Sequence, residues 1–371
     1  MKVLHLVGNL EDAGGILSVI RHLQTATKDQ GWQHSVYVNR CYVETRQPAL
    51  DYRTSRFVCS EMASPWGILW RAALALIEAK RLLAREPFDV IHAHSRCGFL
   101  IVWGLATWSN RRVLFTNHDY ARRVRMYQRA AAHPNFYTVF LTPNMARHYA
   151  ATEQPPKVSV ISACFSDPYL HEPMAGATAA SGSSASLRLV GAGSLLRWKK
   201  WDLLVRAMQR LGASERERIE ISIWGSVVQT DPDSLKYEAE LRQQIHNHGL
   251  GERILLRGTT HALSEALRQA HWFVLPSTNE PCSVALMEAL ALGLPALVSA
   301  SGGNVDIVRD GETGCFFEPG NAEDLANKLR SILNRRPKLW PPEKIRDSVR
   351  ERCASAVGRK YVDLYQRWLR M

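Results

Sequence analysis

Two series of short apolar runs alternating with helical stretches, separated by one run that cannot pack, constrain this chain more than any other feature. In the first series, apolar runs at 2–8, 34–39, 89–93, 112–116, 137–142 and 158–162 alternate with helical stretches at 16–29, 68–85, 98–108 and 144–151. From His171 to Ser186 the chain reads HEPMAGATAASGSSAS, small residues with little to bury, which predicts a linker. The alternation resumes at Leu187, with strands near 187–192, 219–224, 253–257, 272–276 and 295–299 around helices near 201–211, 235–248, 263–270, 283–292 and 322–334. Such alternation is the pattern of a parallel sheet covered on both faces, so the spacing predicts an α/β protein of two doubly wound, Rossmann-like domains facing an interdomain cleft. The expected division is a domain at 1–171, a linker at 172–186, a second domain at 187–342 and an amphipathic helical tail at 343–371. In that tail Val349, Cys353, Val357, Tyr361, Leu364, Tyr365 and Trp368 recur at three and four.

Composition narrows the class. With 46% hydrophobic and 22% charged residues, a disordered, collagenous or fibrous chain is excluded. Seven cysteines without paired spacing make no disulfide framework and fit a reducing compartment. The longest apolar stretch, Gly98 to Trp108, falls short of the ~20 residues a membrane span needs, and the N-terminal Val3-Leu4-His5-Leu6-Val7 is a strand rather than a signal sequence. The expected location is therefore cytoplasmic, with a peripheral membrane position left open. Residues 1–171 carry 20 lysines and arginines against 12 aspartates and glutamates, and Arg111, Arg112, Arg122, Arg123, Arg125 and Arg129 crowd one stretch. Attraction to an anionic membrane surface or lipid diphosphate and a solvated helix face both account for that stretch. Nucleic acid is not expected, because no recognition motif accompanies the charge.

The most informative segment is Ser277 to Ala300, STNEPCSVALMEALALGLPALVSA. Pro281 keeps Glu280 out of a helix, in the loop that leaves the strand at 272–276. Ser283 is a natural N-cap, so the free N–H groups near Val284 and Ala285 suit a phosphate. Glu288 lies in that helix among apolar neighbours, where an unpaired carboxylate would be costly, and a ribose diol would satisfy it.

The paired glutamates, followed by Ala291-Leu-Gly-Leu-Pro295, resemble the motif of retaining glycosyltransferases of family 4, which have the GT-B fold. Gly193-Ser-Leu-Leu-Arg-Trp-Lys199-Lys-Trp-Asp202, Gly302-Gly303-Asn-Val-Asp306 and Asp310-Gly311-Glu-Thr-Gly314 are similar to further segments of the family's donor domain, and Gly14-Gly15, Gly31-Trp-Gln-His34 and Phe115-Thr-Asn-His118 to its N-terminal half. The resemblance implies that Glu280 contacts donor-sugar hydroxyls, Glu288 the nucleotide ribose and Lys199 the donor diphosphate, with His118 on the acceptor side. It also implies transfer of a sugar, with retention, from a nucleotide diphosphate sugar to an acceptor hydroxyl of a glycan or lipid-linked saccharide; no metal cofactor is expected, because protein groups offset the diphosphate charge. The arginine usual after the glycine of the lysine loop is replaced by Ser194, so Arg197 supplies the lost charge or the diphosphate rests on Lys199 alone.

The remaining candidates have two readings each. Gly14 and Gly15 form a turn or let a phosphate or sugar approach the backbone. His118 is a catalytic or a structural histidine; His92 and His94 share one face of a strand and read as structural or acceptor-lining, since a metal would need a third ligand. Asp231-Pro232-Asp233 reads as a turn with a helix cap rather than a metal-binding pair. A sugar-nucleotide epimerase and an inactive nucleotide-binding scaffold on the same fold are the competing functions; an NAD-dependent enzyme is disfavoured because no Gly-x-Gly-x-x-Gly follows either first strand.

Overall fold

The computed structural model describes residues 1–8, 10, 15–44, 49–59, 64–150, 157–175, 186–260, 262–335 and 337–371. These form two units, 1–164 with 354–371 and 165–353.

The first unit is a seven-stranded parallel sheet: β1 (Lys2–Leu6), β2 (Gln33–Asn39), β3 (Asp51–Ser55), β4 (Val90–Ala93), β5 (Val113–Asn117), β6 (Phe136–Phe140) and β7 (Val158–Val160), ordered β3-β2-β1-β4-β5-β6-β7. β4, β5 and β6 are buried along their whole length, as strands covered on both faces must be. β3, whose sequence is the polar DYRTS, has no apolar run to announce it; it is an edge strand, where polar residues are tolerated. Ser95 caps the helix Arg96–Trp108 by accepting the Gly98 N–H (3.0 Å), and Thr142 caps Pro143–His148.

The second unit is a six-stranded parallel sheet of β8 (Leu187–Ala192), β9 (Ile219–Trp224), β10 (Ile254–Gly258), β11 (Trp272–Leu275), β12 (Ala296–Ser299) and β13 (Gly314–Phe317), ordered β10-β9-β8-β11-β12-β13. In each sheet the order reverses once, between β1 and β4 and between β8 and β11. The loops leaving those strands at their carboxyl ends are where such sheets take ligands.

The tail differs from the single helix expected from its periodicity. A helix at Pro342–Asp347 stays with the second unit, a 3-10 turn follows at Arg350–Arg352, and only the helix Ala354–Arg370 joins the first unit. The break is stabilised by pairing: extended Cys353 bridges Phe165, whose N–H donates to the Arg352 carbonyl (3.3 Å). Tyr361, Leu364, Tyr365 and Trp368 of the last helix are buried in the first unit, where the helix packs on Gly15–Thr27. Of the segment expected as a linker, residues 176–185 lie outside the described residues. Residues 165–175 pack with the second unit, where the Ala175 N–H donates to Leu292 O (2.8 Å).

Candidate functional site

At the reversal point of the second sheet, the loop after β8 and the loop after β11 bring Lys199 and Glu280 together. Lys199 ends the 3-10 turn Arg197–Lys199, and its Nζ lies 2.7 Å from Glu280 Oε2. Both residues are buried, at 8% and 4% exposure, so the pair is shielded from solvent screening. Glycines make the approach: a Cβ on Gly193 (φ +152°) would press on the Lys199 ammonium end at 3.3 Å, and one on Gly302 (φ +58°) would strike the Glu280 backbone. The Gly303 N–H holds the Glu280 carbonyl at 2.7 Å. The Trp198 ring lies 4.4 Å from Nζ. Among the described residues Lys199 finds no second hydrogen-bond acceptor and Glu280 Oε1 no donor, which leaves donor and acceptor capacity for a ligand carrying both phosphate and hydroxyl groups.

Ser283 caps the helix Val284–Ala291, its Oγ accepting the Leu286 N–H at 3.2 Å. Glu288, one turn further, is half-buried, and no described residue donates a hydrogen bond to its carboxylate. Burial, and secondarily the charge of Glu172, pushes its pKa up to about 7. Across from it the 3-10 turn Asp167–Leu170 brings Tyr169, whose hydroxyl is also held protonated by burial and by Glu288. Neither Tyr169 nor Glu172 was identifiable in the sequence, because their proximity depends on the chain returning from the other side of a weakly patterned segment.

Arg197, expected as a donor-site cation, is placed differently. Its Nε donates to Asp233 Oδ1 (2.8 Å) and its two terminal nitrogens to Glu240 (2.7 and 3.1 Å), with the Tyr237 ring 5.4 Å away. A guanidinium held by two carboxylates is electrostatically satisfied, whereas Lys199 faces the reversal point. Asp231 is the buried N-cap of the helix Pro232–Asn247, accepting the Asp233 N–H at 3.0 Å.

The first sheet carries a different constellation at its own reversal point. His5 (β1) pairs with His92 (β4) in register, and His34 (β2) with Val3, so the alternation of strand side chains puts His5, His34, His92, His94, Thr116 and His118 on one face. The ring nitrogens are chained: His34 to His5 at 2.9 Å, His5 to His94 at 3.0 Å, His94 to His118 at 3.2 Å. His92 bonds Tyr365 OH (2.6 Å) and Thr116 Oγ1 (2.7 Å), and Thr116 bonds Tyr361 OH (3.1 Å), so the last helix closes this face. Burial lowers the pKa of all five imidazoles, to about 4 at His34 and about 3 at His118. His5, His92 and His94 bring ligand atoms within 4.8 Å, the third ligand that sequence spacing alone could not supply. Every ring nitrogen of the three already has a hydrogen-bond partner, so the set is complete as a polar network. The sequence signal for His5 and His34 was a histidine embedded in each of the next two strands on one side of the His92 strand, β1 and then β2. Of the glycines, Gly15 opens the helix Gly15–Thr27, and Gly14 lies outside the described residues.

The arginine stretch is divided. Arg112 donates to the carbonyls of Trp368 (3.2 Å) and Leu369 (3.3 Å), terminating the last helix, while Arg122, Arg123, Arg125 and Arg129 are exposed.

Comparison with known proteins gives the frame for these sites. The family described as glycosyl transferases group 1 matches residues 185–352, and that described as glycosyltransferase family 4 matches residues 13–164. A sulfoquinovosyl transferase of Arabidopsis thaliana is 39% identical over 77 residues, 20% of this chain and 15% of its own length. A D-inositol 3-phosphate glycosyltransferase of Geodermatophilus obscurus is 31% identical over 156 residues, 41% of this chain and 34% of its own. The matched segments thus span about a third or less of these relatives. Among solved structures, a sucrose-phosphate synthase from Thermosynechococcus elongatus superposes with a TM-score of 0.83 at 18% identity, covering 99% of this chain and 98% of the other. HepE of Anabaena, solved with UDP-glucose, gives 0.76 at 16%, covering 99% and 100%. With one half matched by each family description and the whole fold shared with these structures, the chain belongs to the family 4 glycosyltransferases of the GT-B fold.

Proposed function

We propose that the protein transfers a sugar from a nucleotide diphosphate sugar to an acceptor hydroxyl of a glycan or lipid-linked saccharide, with retention of anomeric configuration and without a metal cofactor. The observation that carries this reading is the buried Lys199–Glu280 pair at the reversal point of the second sheet, each member with unused hydrogen-bonding capacity. A donor diphosphate entering there competes with Glu280 for the ammonium and frees the carboxylate to accept sugar hydroxyls. The open carboxylate of Glu288 suits the ribose diol. The first N–H groups of the helix Val284–Ala291 add fixed positive dipole near the leaving phosphate. HepE, in the same fold, was solved with UDP-glucose, which supports a nucleotide-sugar donor here. A histidine–carboxylate constellation would favour an epimerase; among the described residues no carboxylate hydrogen-bonds the imidazole network.

We further propose that the acceptor is met at an anionic lipid surface. The helix Pro65–Arg85 buries Ile68, Ala72, Ala75, Leu76, Ala79 and Leu83, and its outward face should be polar. Instead that face exposes Trp66 (82%), Leu69 (47%), Trp70 (59%) and Ile77 (48%), followed by exposed Lys80, Arg81 and Arg85. Indoles beside lysine and arginine match the chemistry of a headgroup layer.

The test is a pair of variants with nucleotide binding and turnover measured separately. Glu280→Gln should lower turnover a hundredfold or more, since the charged hydrogen bonds to the transferring sugar are lost, while leaving free nucleoside diphosphate affinity unchanged or tighter, because Lys199 loses its internal partner. Glu288→Gln should weaken free nucleotide and nucleotide sugar alike. In the wild type nucleotide binding should strengthen as pH rises through about 7, as Glu288 ionises, and the variant should lack this dependence. Turnover intact in both variants, or stabilisation by NAD and by no nucleoside diphosphate, would overturn the reading.

A further inference from the structure

The direction of the hydrogen bonds along the histidine chain can be fixed from one end. Thr27 Oγ1 lies 2.8 Å from the Leu23 carbonyl and 2.9 Å from His34 Nε2. A hydroxyl has one proton, and a carbonyl oxygen only accepts, so the proton lies toward Leu23 and Oγ1 must accept from His34. His34 is therefore protonated on Nε2. Held neutral, it offers Nδ1 as an acceptor, which only a protonated His5 Nε2 can satisfy. The same step repeats: His5 Nδ1 accepts from His94 Nε2–H, and His94 Nδ1 accepts from His118 Nε2–H. The reverse polarity would leave two oxygens 2.8 Å apart with no proton between them. His118 is half-buried, at the end of the chain, and its Nδ1 has no partner among the described residues.

We propose that Thr27, His34, His5 and His94 form a one-way hydrogen-bond relay that holds His118 in its Nε2-protonated tautomer and presents His118 Nδ1 as an acceptor for a substrate hydroxyl. The identity of that hydroxyl rests on the sugar-transfer reading above; the tautomer does not. The four upstream groups are positioning residues. None touches substrate, and each acts by fixing which nitrogen of the next ring carries the proton. Burial keeps His118 neutral down to about pH 3, so it works as an acceptor and never as a cation at ordinary pH. A hydroxyl whose proton is held by a neutral imidazole has its lone pairs turned outward, the orientation needed by a nucleophile. An apolar core would have filled the same face without a directional chain, and a purely structural network would not need its last acceptor left open among the described residues.

Two measurements decide it. Tautomers are read by long-range proton–nitrogen correlation in histidine-labelled protein without substrate. The wild type should show His118 protonated on Nε2 and bare on Nδ1; Thr27→Val, nearly isosteric, removes the terminal acceptor and should shift His118 toward the opposite tautomer, and Thr27→Ser should restore it. A His118 protonated on Nδ1 in the wild type, or unmoved by Thr27→Val, overturns the relay. In turnover, Thr27→Val should cost about tenfold in kcat with little change in donor KM, and nothing further in a His118→Ala background, because the two changes remove one device. An equal loss in both backgrounds would mark Thr27 as merely structural and overturn it too. If no nucleotide sugar is turned over by the wild type, the functional reading fails, and the spectra still decide the relay.

Discussion

Both units put their polar residues at the same topological position, between the two strands where the sheet order reverses, and they solve the cost of burying them in opposite ways. In the second unit the solution is charge: one buried ammonium against one buried carboxylate, Lys199 with Glu280, stable only while both are present or a ligand replaces one. In the first it is neutrality: five imidazoles kept uncharged by burial, four of them chained nitrogen to nitrogen and His92 held by the Tyr365 and Thr116 hydroxyls. A charged pair can be opened by an anionic ligand, because phosphate offers the ammonium an equal partner. A neutral chain keeps its geometry through such an exchange, because it has no charge for the ligand to compete for. Under the proposed function, ligand exchange belongs to the second unit and fixed orientation to the first.

Acid should separate the two most strongly. The imidazoles have folded pKa values below the ordinary 6.5, so the unfolded chain takes up protons first. Stability is full above about pH 6.5 and is lost as pH falls toward about 4 at His34 and about 3 at His118. Each group withdraws up to ~1.4 kcal/mol per pH unit, and several acting together are large against a typical stability of about 5 to 15 kcal/mol. Glu288 has the opposite sign: its folded pKa of about 7 lies above the ordinary carboxyl value, so the penalty for its buried charge disappears as pH falls through 7. Hydrogen exchange by peptide, corrected for intrinsic rates, should therefore show the first unit losing protection between pH 7 and 4.5 while the second holds or gains. Parallel loss in both units would break the contrast.

The lipid surface should be a property of the first unit alone. Replacing Trp66 and Trp70 by serine should lower partitioning onto anionic vesicles by more than tenfold, since each indole buries enough apolar area to be worth about 1.5 kcal/mol or more. Replacing Arg122, Arg123 and Arg125 by glutamine should lower it severalfold, and only at low salt, because exposed charges are screened beyond ~8 Å at physiological ionic strength. Binding insensitive to both sets would reduce the exposed tryptophans to incidental surface.

The two sites also differ in how far they could be read from sequence. Glu280, Ser283 and Glu288 lie within nine consecutive positions, so a strand, a proline, a cap and a helical period locate them by local pattern alone. Lys199 was legible as the end of a strand-to-loop segment, but its pairing with Glu280 was not, because contact across 81 positions depends on strand order. Arg197 was misplaced for the same reason: local sequence shows a cation near the lysine but not the Asp233 and Glu240 side chains that take it up. The histidine relay spans Thr27 to His118, across three elements and the loops that leave β4 and β5. Of its members His94 and His118 were visible singly, whereas the register that joins them to His5 and His34 is a property of the sheet. Strands buried on both faces announced themselves by apolar runs; polar β3 did not, since an edge strand needs no such run.

The smallest expected effect concerns metal, and it tests whether the charge of the second unit is sufficient by itself. If Lys199 and the helix Val284–Ala291 meet the departing diphosphate, a chelator should leave turnover unchanged. Asp231 then has only a local duty. It is buried at 3% exposure, and its carboxylate accepts the Asp233 N–H at the start of the helix Pro232–Asn247. Asp231→Ala should therefore lower thermal stability by about 1 kcal/mol, the usual loss for an N-cap, while turnover at moderate temperature stays within twofold. That split between stability and rate is the signature of a cap, whereas a metal ligand would show the reverse. Turnover abolished by a chelator and restored by manganese only when Asp231 is present would mean that the protein's own cations are too few, and would transfer the diphosphate from Lys199 to an ion.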